Sequence, residues 1–394
     1  MTMPLTALRG RVMDLDSHEQ IPQDRYPEIF GERGKRFLEV SKGMFDMIEE
    51  VSNRISPGDG LHVNVPDTAE ITEKAVWEKK GSHAPSHADM DRRPEVMDMM
   101  GVKRQLVFPT MGLAAVSQTQ GGLTMGTFRP APAEEQRVAW EAIDAYNDWA
   151  ASVTARHSDR LRVAAILPSH KKGMTPEGLV KEAKRVIKLG ARTIFIPAGS
   201  PPAGMSPDDK RLDPLYATLA EANVSLITHP PGGIGFRSQE WSLLGNPPPW
   251  QYIAEENFLA LMIMGGVFER HPTLRFGIIE AGALWVGSFA DLLDFHAGAL
   301  GDHPVSFMSG YHLPLKPSEY LARNVRVTPM NFEPIEMTLE RWPHLQDVFA
   351  FSTDYPHKEG QSYSLQKFYE RLAPLGDKIL EKFFVTNGEL LIPS

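Results

Sequence analysis

Residues 161–198 read LRVAAILPSHKKGMTPEGLVKEAKRVIKLGARTIFIPA, and this stretch decides the fold. It begins and ends with apolar runs of strand length, Leu161–Pro168 and Ala191–Ala198, which lack the strict alternation of a half-exposed strand. Between these runs, apolar residues recur every three or four positions after Thr175-Pro176, and Gly190 marks a stop. A strand, a helix and a second strand in this order are typical of a parallel sheet covered on both faces.

The same alternation continues over the rest of the chain. Helical patterns lie between eight apolar runs, which are Arg11–Asp16, Gln105–Thr110, Leu161–Pro168, Ala191–Ala198, Ser225–Pro230, Arg275–Glu280, Asn324–Pro329 and Phe349–Asp354. Eight repeats of strand and helix predict a (β/α)8 TIM barrel, formed as a single domain by residues 1–394.

Two long insertions interrupt this pattern. Residues 19–95 follow the first strand and are polar and broken, and residues 231–252 follow the fifth strand and are rich in Gly, Pro and Trp. Both follow the carboxyl end of a strand, which is the face where barrel active sites lie. We therefore expect them to form a cap over the site, and a contact between subunits is the alternative.

Composition excludes several classes of protein. The 394 residues include 41 Lys and Arg against 50 Asp and Glu, a net charge of −9 that argues against a nucleic-acid binder. The absence of cysteine excludes disulfides, cysteine nucleophiles and thiolate metal sites. Because no apolar run approaches the ~18 residues that span a bilayer, and the N-terminus lacks a signal-peptide core, we expect a cytoplasmic protein without membrane contact.

Possible metal ligands stand at the ends of four predicted strands. Asp16 and His18 follow the first strand, His229 the fifth, Glu280 the sixth and Asp354 the eighth. Residues two apart in a strand point to the same side, so Asp16 and His18 can bind one ion together. Each residue alone could be a turn, a cap or an ion-pair partner. Their joint position at one end of the barrel predicts a site for one divalent metal ion.

The donor set limits the metal and the chemistry. Imidazoles and carboxylates favour Zn²⁺, with Mn²⁺ or Fe²⁺ as alternatives. Such an ion lowers the pKa of bound water to about 7. Asp354 would accept the proton of that water or orient it, and Glu280 would be either a further ligand or an acid and base serving the leaving group.

Four segments resemble one known family. MDLDSHEQIP (13–22), LITHPPGG (226–233), HPTLRFGIIEAGALWV (271–286) and FSTDYPHKEG (351–360) are similar to the amidohydrolase-related branch of the amidohydrolase superfamily, which includes hydrolases and decarboxylases such as the aminocarboxymuconate-semialdehyde decarboxylase group. The resemblance implies one catalytic divalent ion, commonly zinc, held by Asp16, His18, His229 and Asp354. Many members carry a catalytic histidine where this chain has Glu280.

The resulting hypothesis is a metal-dependent hydrolase that attacks a small organic substrate, aromatic or carboxylated, with activated water. A non-oxidative decarboxylase of the same family is the alternative, and a catalytically silent binding barrel is a third possibility. We expect Arg237, His357, Trp285 and His170 to contact the substrate, and the alternatives are a surface arginine, turn or loop histidines and a core tryptophan. The resemblance also implies a homodimer or homotetramer.

Overall fold

Parallel strands form the centre of the structure. The computed structural model describes residues 2–46, 50, 65–119, 132–230, 252–299, 313–358 and 360–394. The described strands are β1 (Val12–Asp14), β2 (Val102–Val107), β3 (Leu161–Val163), β4 (Ala165–Ile166), β5 (Thr193–Phe195), β6 (Ser225–Thr228), β7 (Phe276–Ile278) and β8 (Val325–Val327). They pair in the orders β1-β2-β3 and β4-β5-β6-β7-β8, and every pair is parallel.

Helices separate the strands along the chain. The described helices are α1 (Tyr26–Val40), α2 (Glu73–Glu78), α3 (Arg93–Met100), α4 (Met111–Thr119), α5 (Ala133–Arg156), α6 (Pro176–Leu189), α7 (Asp213–Glu221), α8 (Ile253–Met264), α9 (Val267–Arg270), α10 (Val286–Ala299), α11 (Pro317–Asn324), α12 (Ile335–Arg341), α13 (Ser364–Leu372), α14 (Asp377–Glu381) and α15 (Asn387–Leu391). None of the described helices is both long and apolar enough to cross a membrane.

Helix α6 shows how local sequence sets these elements. The Thr175 hydroxyl accepts a hydrogen bond from the Gly178 N–H at 3.1 Å, which caps the first turn. Gly190 has a φ of 122°, a backbone conformation that favours glycine, and it ends the helix. The buried face, Leu179, Ala183 and Val186, belongs to the hydrophobic core that also contains strand residues Ile194 and Phe195. The predicted alternation of buried strand and amphipathic helix is confirmed here.

The run Leu161–Pro168 divides into two strands instead of one. Its first part, β3, pairs with β2, and its second part, β4, pairs with β5. Ala164 between them donates its N–H to the Val107 carbonyl, and Leu167 donates to the Phe195 carbonyl, each at 2.9 Å. The run therefore changes partner within a few residues and connects the two sheets.

The run Phe349–Asp354 is not a regular strand, contrary to the prediction. Ala350 donates to the β8 carbonyl of Val327 at 3.1 Å, but Phe351 donates to Phe383. The backbone N–H of Thr353, two residues further along the chain, donates to the side chain of Asp14 at 2.9 Å. The ladder is interrupted because these donors have partners outside the sheet. The run still lies between β8 and the residues after β1, since Leu15 donates to Phe351 at 3.0 Å.

The described part of the first insertion packs beside the carboxyl end of β1. Gly81 donates its N–H to the Pro356 carbonyl at 2.7 Å, and Gln20 donates to the His87 carbonyl at 2.6 Å. Residues 51–64 and 231–251 lie outside the described residues. That the two insertions form a cap remains a prediction.

Candidate metal centre

Three of the predicted ligands meet at one point. Asp16 and His18 follow β1, His229 follows β6, and one ligand atom of each lies within 4.8 Å of the others. Nε2 of His18 is 3.5 Å from Oδ1 of Asp16, and Nε2 of His229 is 3.7 Å from the same oxygen. All three side chains are at most 2% exposed. Parallel strands that start far apart in sequence thus place these atoms around a single small volume.

The converging atoms lack hydrogen-bond partners among the described residues. Oδ1 of Asp16 and Nε2 of both His18 and His229 are buried without one. Buried polar atoms without partners are rare and call for a missing group. Ligands held by ~2.1 Å bonds in a tetrahedral zinc site lie about 3.4 Å apart. The observed separations are close to this value, so the three residues fit a divalent metal ion.

The charge states of this group also suit a cation. Burial alone would raise the pKa of Asp16, but the adjacent His18 and His229 rings lower it to about 2. Burial, reinforced by the neighbouring His357, holds the pKa of His18 well below its ordinary value. Asp16 is therefore an anion at neutral pH and His18 a neutral ring with a free lone pair, which are the forms that bind metal.

His229 is oriented by its own backbone. Its Nδ1 contacts the carbonyl oxygen of Pro230, which can only accept a hydrogen bond, so Nδ1 carries the proton. Nε2 then presents a lone pair toward Asp16. The Phe108 ring packs 4.2 Å from the His229 ring and 5.8 Å from the His18 ring, between centroids, and forms an apolar wall.

Asp354 and His357 form a second group with His18. Oδ1 of Asp354 lies 3.5 Å from Nε2 of His18 and 3.0 Å from Nδ1 of His357. The His357 ring stacks on the His18 ring with centroids 3.8 Å apart. The φ of Asp354 is 50°, a strained conformation for a non-glycine residue that is enriched at functional sites. His18 therefore belongs to both groups, and His357 lies beside it, while contact of His357 with a substrate remains a prediction.

Glu280 contacts the cluster at His229. Its Oε2 lies 3.1 Å from Nε2 of His229, and its side chain is 14% exposed. Its φ is 59°, also in the left-handed region, and its backbone N–H donates to the Thr328 hydroxyl at 3.0 Å. This strained turn points the carboxylate at His229, where it can bind an ion or exchange a proton.

The remaining predicted contacts lie elsewhere or outside the described residues. Trp285 is 7% exposed, stacks on Tyr252 at 6.1 Å and donates from Nε1 to Gly282 at 3.0 Å. His170 shares a 2.8 Å hydrogen bond with Thr119, and burial lowers its pKa to about 4. These contacts are those of packed residues, and substrate contact by either one remains a prediction. Arg237 lies in the undescribed range 231–251.

The sequence pattern did not lead us to two buried residues of this region, Asp14 and Arg93. Asp14 is fully buried, and burial raises its pKa to about 7 in spite of four hydrogen bonds. Arg93 is fully buried and donates to the His18 carbonyl at 2.9 Å. The alternation that places Asp16 and His18 on one face also includes Asp14, and could have identified it. No comparable pattern marks Arg93.

Comparisons with known proteins identify the family and support the fold. The amidohydrolase family matches residues 62–391. An amidohydrolase from Mycobacterium avium subsp. paratuberculosis is similar over 97% of this chain and 99% of its own, with 21% identity and a TM-score of 0.63. A 5-carboxyvanillate decarboxylase from Novosphingobium aromaticivorans, complexed with manganese and 4-hydroxy-3-methoxy-5-nitrobenzoic acid, covers 98% and 97%, with 18% identity and a TM-score of 0.61.

A third similar structure is also that of a decarboxylase. The 2,6-dihydroxybenzoate decarboxylase from Rhizobium covers 97% of this chain and 98% of its own, with 17% identity and a TM-score of 0.58. At these identities the likeness establishes the fold. The family match begins at residue 62, after β1, so it does not include Asp16 and His18. These two residues are assigned to the candidate site from their geometry.

Proposed function

Because the chain belongs to the amidohydrolase family, we propose that it is a metal-dependent, non-oxidative decarboxylase of hydroxylated aromatic carboxylic acids. The sequence alone favoured hydrolysis. The similar structures that are decarboxylases of such acids support the alternative instead.

The observation that carries this proposal is the buried group Asp16, His18 and His229 with its unpartnered ligand atoms. These residues, with Asp354 beside His18, would hold the ion. A bound divalent ion supplies positive charge for the carboxylate and adjacent hydroxyl of the substrate. Zinc was favoured from the donor set, but manganese accompanies the decarboxylase from Novosphingobium aromaticivorans, so both metals belong in the test.

Residues of the chain would then supply the proton that the reacting carbon requires. The bond between ring carbon and carboxylate breaks, CO2 leaves, and the electron pair stays on the ring carbon until a proton arrives there. Glu280 is positioned to deliver that proton, because its carboxyl lies 3.1 Å from His229 at the edge of the cluster. The Phe108 ring packs against the His229 ring and gives this volume an apolar side, which would favour the exclusion of water.

Hydrolysis remains the second candidate, and Glu280 is the observation in its favour. A carboxylate in contact with His229 can act as a general base toward water, whereas many resembling enzymes have a histidine at this place. The two reactions differ in their products, because hydrolysis incorporates an oxygen atom from water, whereas decarboxylation releases CO2 and incorporates only a proton on the ring carbon.

The test is an assay of metal-free protein reconstituted separately with Mn²⁺ and Zn²⁺. Hydroxybenzoates carrying an ortho hydroxyl are offered beside aromatic esters and lactones in H₂¹⁸O. We expect CO2 release and one deuterium on the ring in D₂O. Incorporation of ¹⁸O without CO2 release would establish hydrolysis. Far less than one ion per chain after reconstitution would refute both reactions and favour a silent binding barrel.

Two further features belong to this proposal. We take the strands to close into a barrel, with Phe349–Asp354 completing it between β8 and β1, as the hydrogen bonds of Ala350 and Leu15 suggest. We also take the active form to be a homodimer or homotetramer, which sedimentation measurements would test.

A further inference from the structure

Asp14 connects the two chain segments that carry the candidate metal carboxylates. Its Oδ1 accepts from the backbone N–H of Thr353 at 2.9 Å and from that of Asp16 at 3.2 Å. Its Oδ2 accepts from the Thr353 hydroxyl at 2.6 Å and from Nε2 of Gln105 at 2.8 Å. One buried carboxylate thus binds the backbone of Asp16 and of the residue before Asp354.

The two segments also bond directly to each other. The backbone N–H of Asp354 donates to the Asp16 carbonyl at 2.8 Å. The Thr353 hydroxyl accepts from the Tyr355 N–H at 3.1 Å. Every one of these groups is buried. The relative positions of Asp16 and Asp354 therefore depend on hydrogen bonds that converge on Asp14 and Thr353.

Arg93 determines how the Gln105 amide is turned. Nη1 of Arg93 donates to Oε1 of Gln105 at 3.2 Å, which leaves the Gln105 NH₂ group facing Asp14. The same guanidinium donates to the carbonyls of His18 and Ser86, at 2.9 and 2.8 Å, and lies 5.0 Å from the Tyr355 ring centroid. The first insertion thereby contributes a residue that bonds to the backbone of His18 and to Gln105.

We propose that Asp14 is a positioning residue that sets the placement of Asp16 and Asp354 for metal binding, with Gln105 and Arg93 fixing its orientation. This inference rests on the metal site of the proposed function. Partners of metal ligands typically contribute 10–100-fold to metal affinity, which is the scale expected here.

The exchange of Asp14 and Gln105 gives a specific test. In Asp14→Asn, an NH₂ group must face either the Gln105 NH₂ group or two backbone N–H groups, so a donor opposes a donor. In the combined variant Asp14→Asn/Gln105→Glu, the carboxylate and the amide change places, and the carboxylate at position 105 can still accept from Arg93. The pair is complementary again, with the same total charge.

Metal affinity, measured by competition with a chelator for Mn²⁺ and Zn²⁺, is the readout. We expect Asp14→Asn to raise the Kd about 10–100-fold and the combined variant to recover most of that loss. The control is Asn147→Asp, which removes a buried hydrogen bond from α5 to the Ile166 carbonyl of β4, 2.8 Å in length. It should lower the melting temperature and leave the Kd unchanged.

Each outcome decides between the two claims. If the wild-type protein binds no ion, the metal site fails and the positioning role fails with it. If the wild type binds and Asp14→Asn binds equally well, or if Asn147→Asp weakens binding as much, only the positioning role is overturned. Should Asp14→Asn not fold, Thr353→Val removes the hydroxyl bonded to Asp14 at similar volume and must weaken binding in the same way.

Discussion

Nε2 of His229 and Oε2 of Glu280 lie 3.1 Å apart, although the two residues follow different strands, β6 and β7. The contact is short enough for a hydrogen bond if either group carries a proton. It is also short enough for both atoms to bind one ion. The two possibilities give Glu280 different roles, as a proton donor or as a ligand.

Replacement of Glu280 by glutamine separates these roles. If Glu280 delivers the proton, Glu280→Gln keeps the ion with nearly unchanged Kd but lowers kcat by at least ~10²-fold, because an amide cannot supply a proton. Turnover on the acid identified by the CO2 assay and chelator competition measure the two quantities. A large loss of metal affinity would instead make Glu280 a ligand.

Metal binding should also appear as thermal stability. A divalent ion at about 100 times its Kd stabilises the folded state by about 2.7 kcal/mol. His229→Ala removes one of the converging nitrogens and should abolish this gain. His271→Ala is the matched control, because its ring contacts Asp213 at 3.1 Å, outside the cluster. Thermal unfolding with and without added ion, after chelator treatment, checks both variants, and an equal gain in His229→Ala contradicts the site.

The convergence of Asp16, His18 and His229 could be predicted because the strands fix the direction of the side chains at their ends. The spacing of Asp16 and His18 puts both on one face, and the carboxyl ends of parallel strands bring His229 to them. The prediction needed only the pattern of apolar runs. A strand was predicted at Phe349–Asp354 from the same apolar pattern. That prediction was wrong because backbone N–H groups in this run donate to the Phe383 carbonyl and to the Asp14 side chain.

The supporting residues could not be predicted in this way. Asp14 meets Gln105 and Thr353, which are 91 and 339 residues away along the chain. Such a contact depends on which strands become neighbours and on their register. Arg93 depends in addition on how the first insertion folds back onto β1, which no periodic pattern in that polar stretch specifies.

The stability of the protein should depend on pH through Glu255. This carboxyl is 1% exposed, both of its oxygens lack hydrogen-bond partners within the described chain, and burial raises its pKa to about 7. The folded state therefore holds the proton more tightly than the unfolded state. Stability should fall as the pH rises from about 4.5 to 7 and stay lower above that, by about 3 kcal/mol in all.

Glu255→Gln should remove the contribution of Glu255 to this dependence, because the amide does not titrate, while the buried Asp14, whose pKa is also raised to about 7, keeps its own contribution. The variant should be more stable than the wild type at pH 8 and similar to it at pH 4.5, as measured by urea unfolding. Exposed Glu340→Gln serves as the control and should retain the pH dependence of the wild type. Parallel pH profiles for the wild type and Glu255→Gln would contradict the prediction.

Arg93 should be sensitive even to a conservative change. Lysine keeps the charge but cannot reproduce the planar fork that reaches Ser86, His18 and Gln105 together. Because buried acceptors would lose their donors, Arg93→Lys should cost about 3 kcal/mol of unfolding free energy. Arg36→Lys changes an exposed pair with Glu134 and should cost less than about 0.5 kcal/mol. Equal urea midpoints for the two variants would disprove the difference.

Gly360 tests whether the strained backbone at Asp354 matters for the ion. A Cβ at this position would lie 2.4 Å from the Thr353 carbonyl oxygen and 2.9 Å from the Asp354 Cβ, and backbone cannot yield as a flexible side chain can. Gly360→Ala should therefore displace Asp354 and weaken metal binding at least about tenfold. Gly298→Ala, inside α10 and with no described atom within 4 Å of an added Cβ, should bind metal normally and gain about 0.5–1 kcal/mol of stability. If both alanine variants bind the ion with wild-type affinity, the position of Asp354 does not control the site.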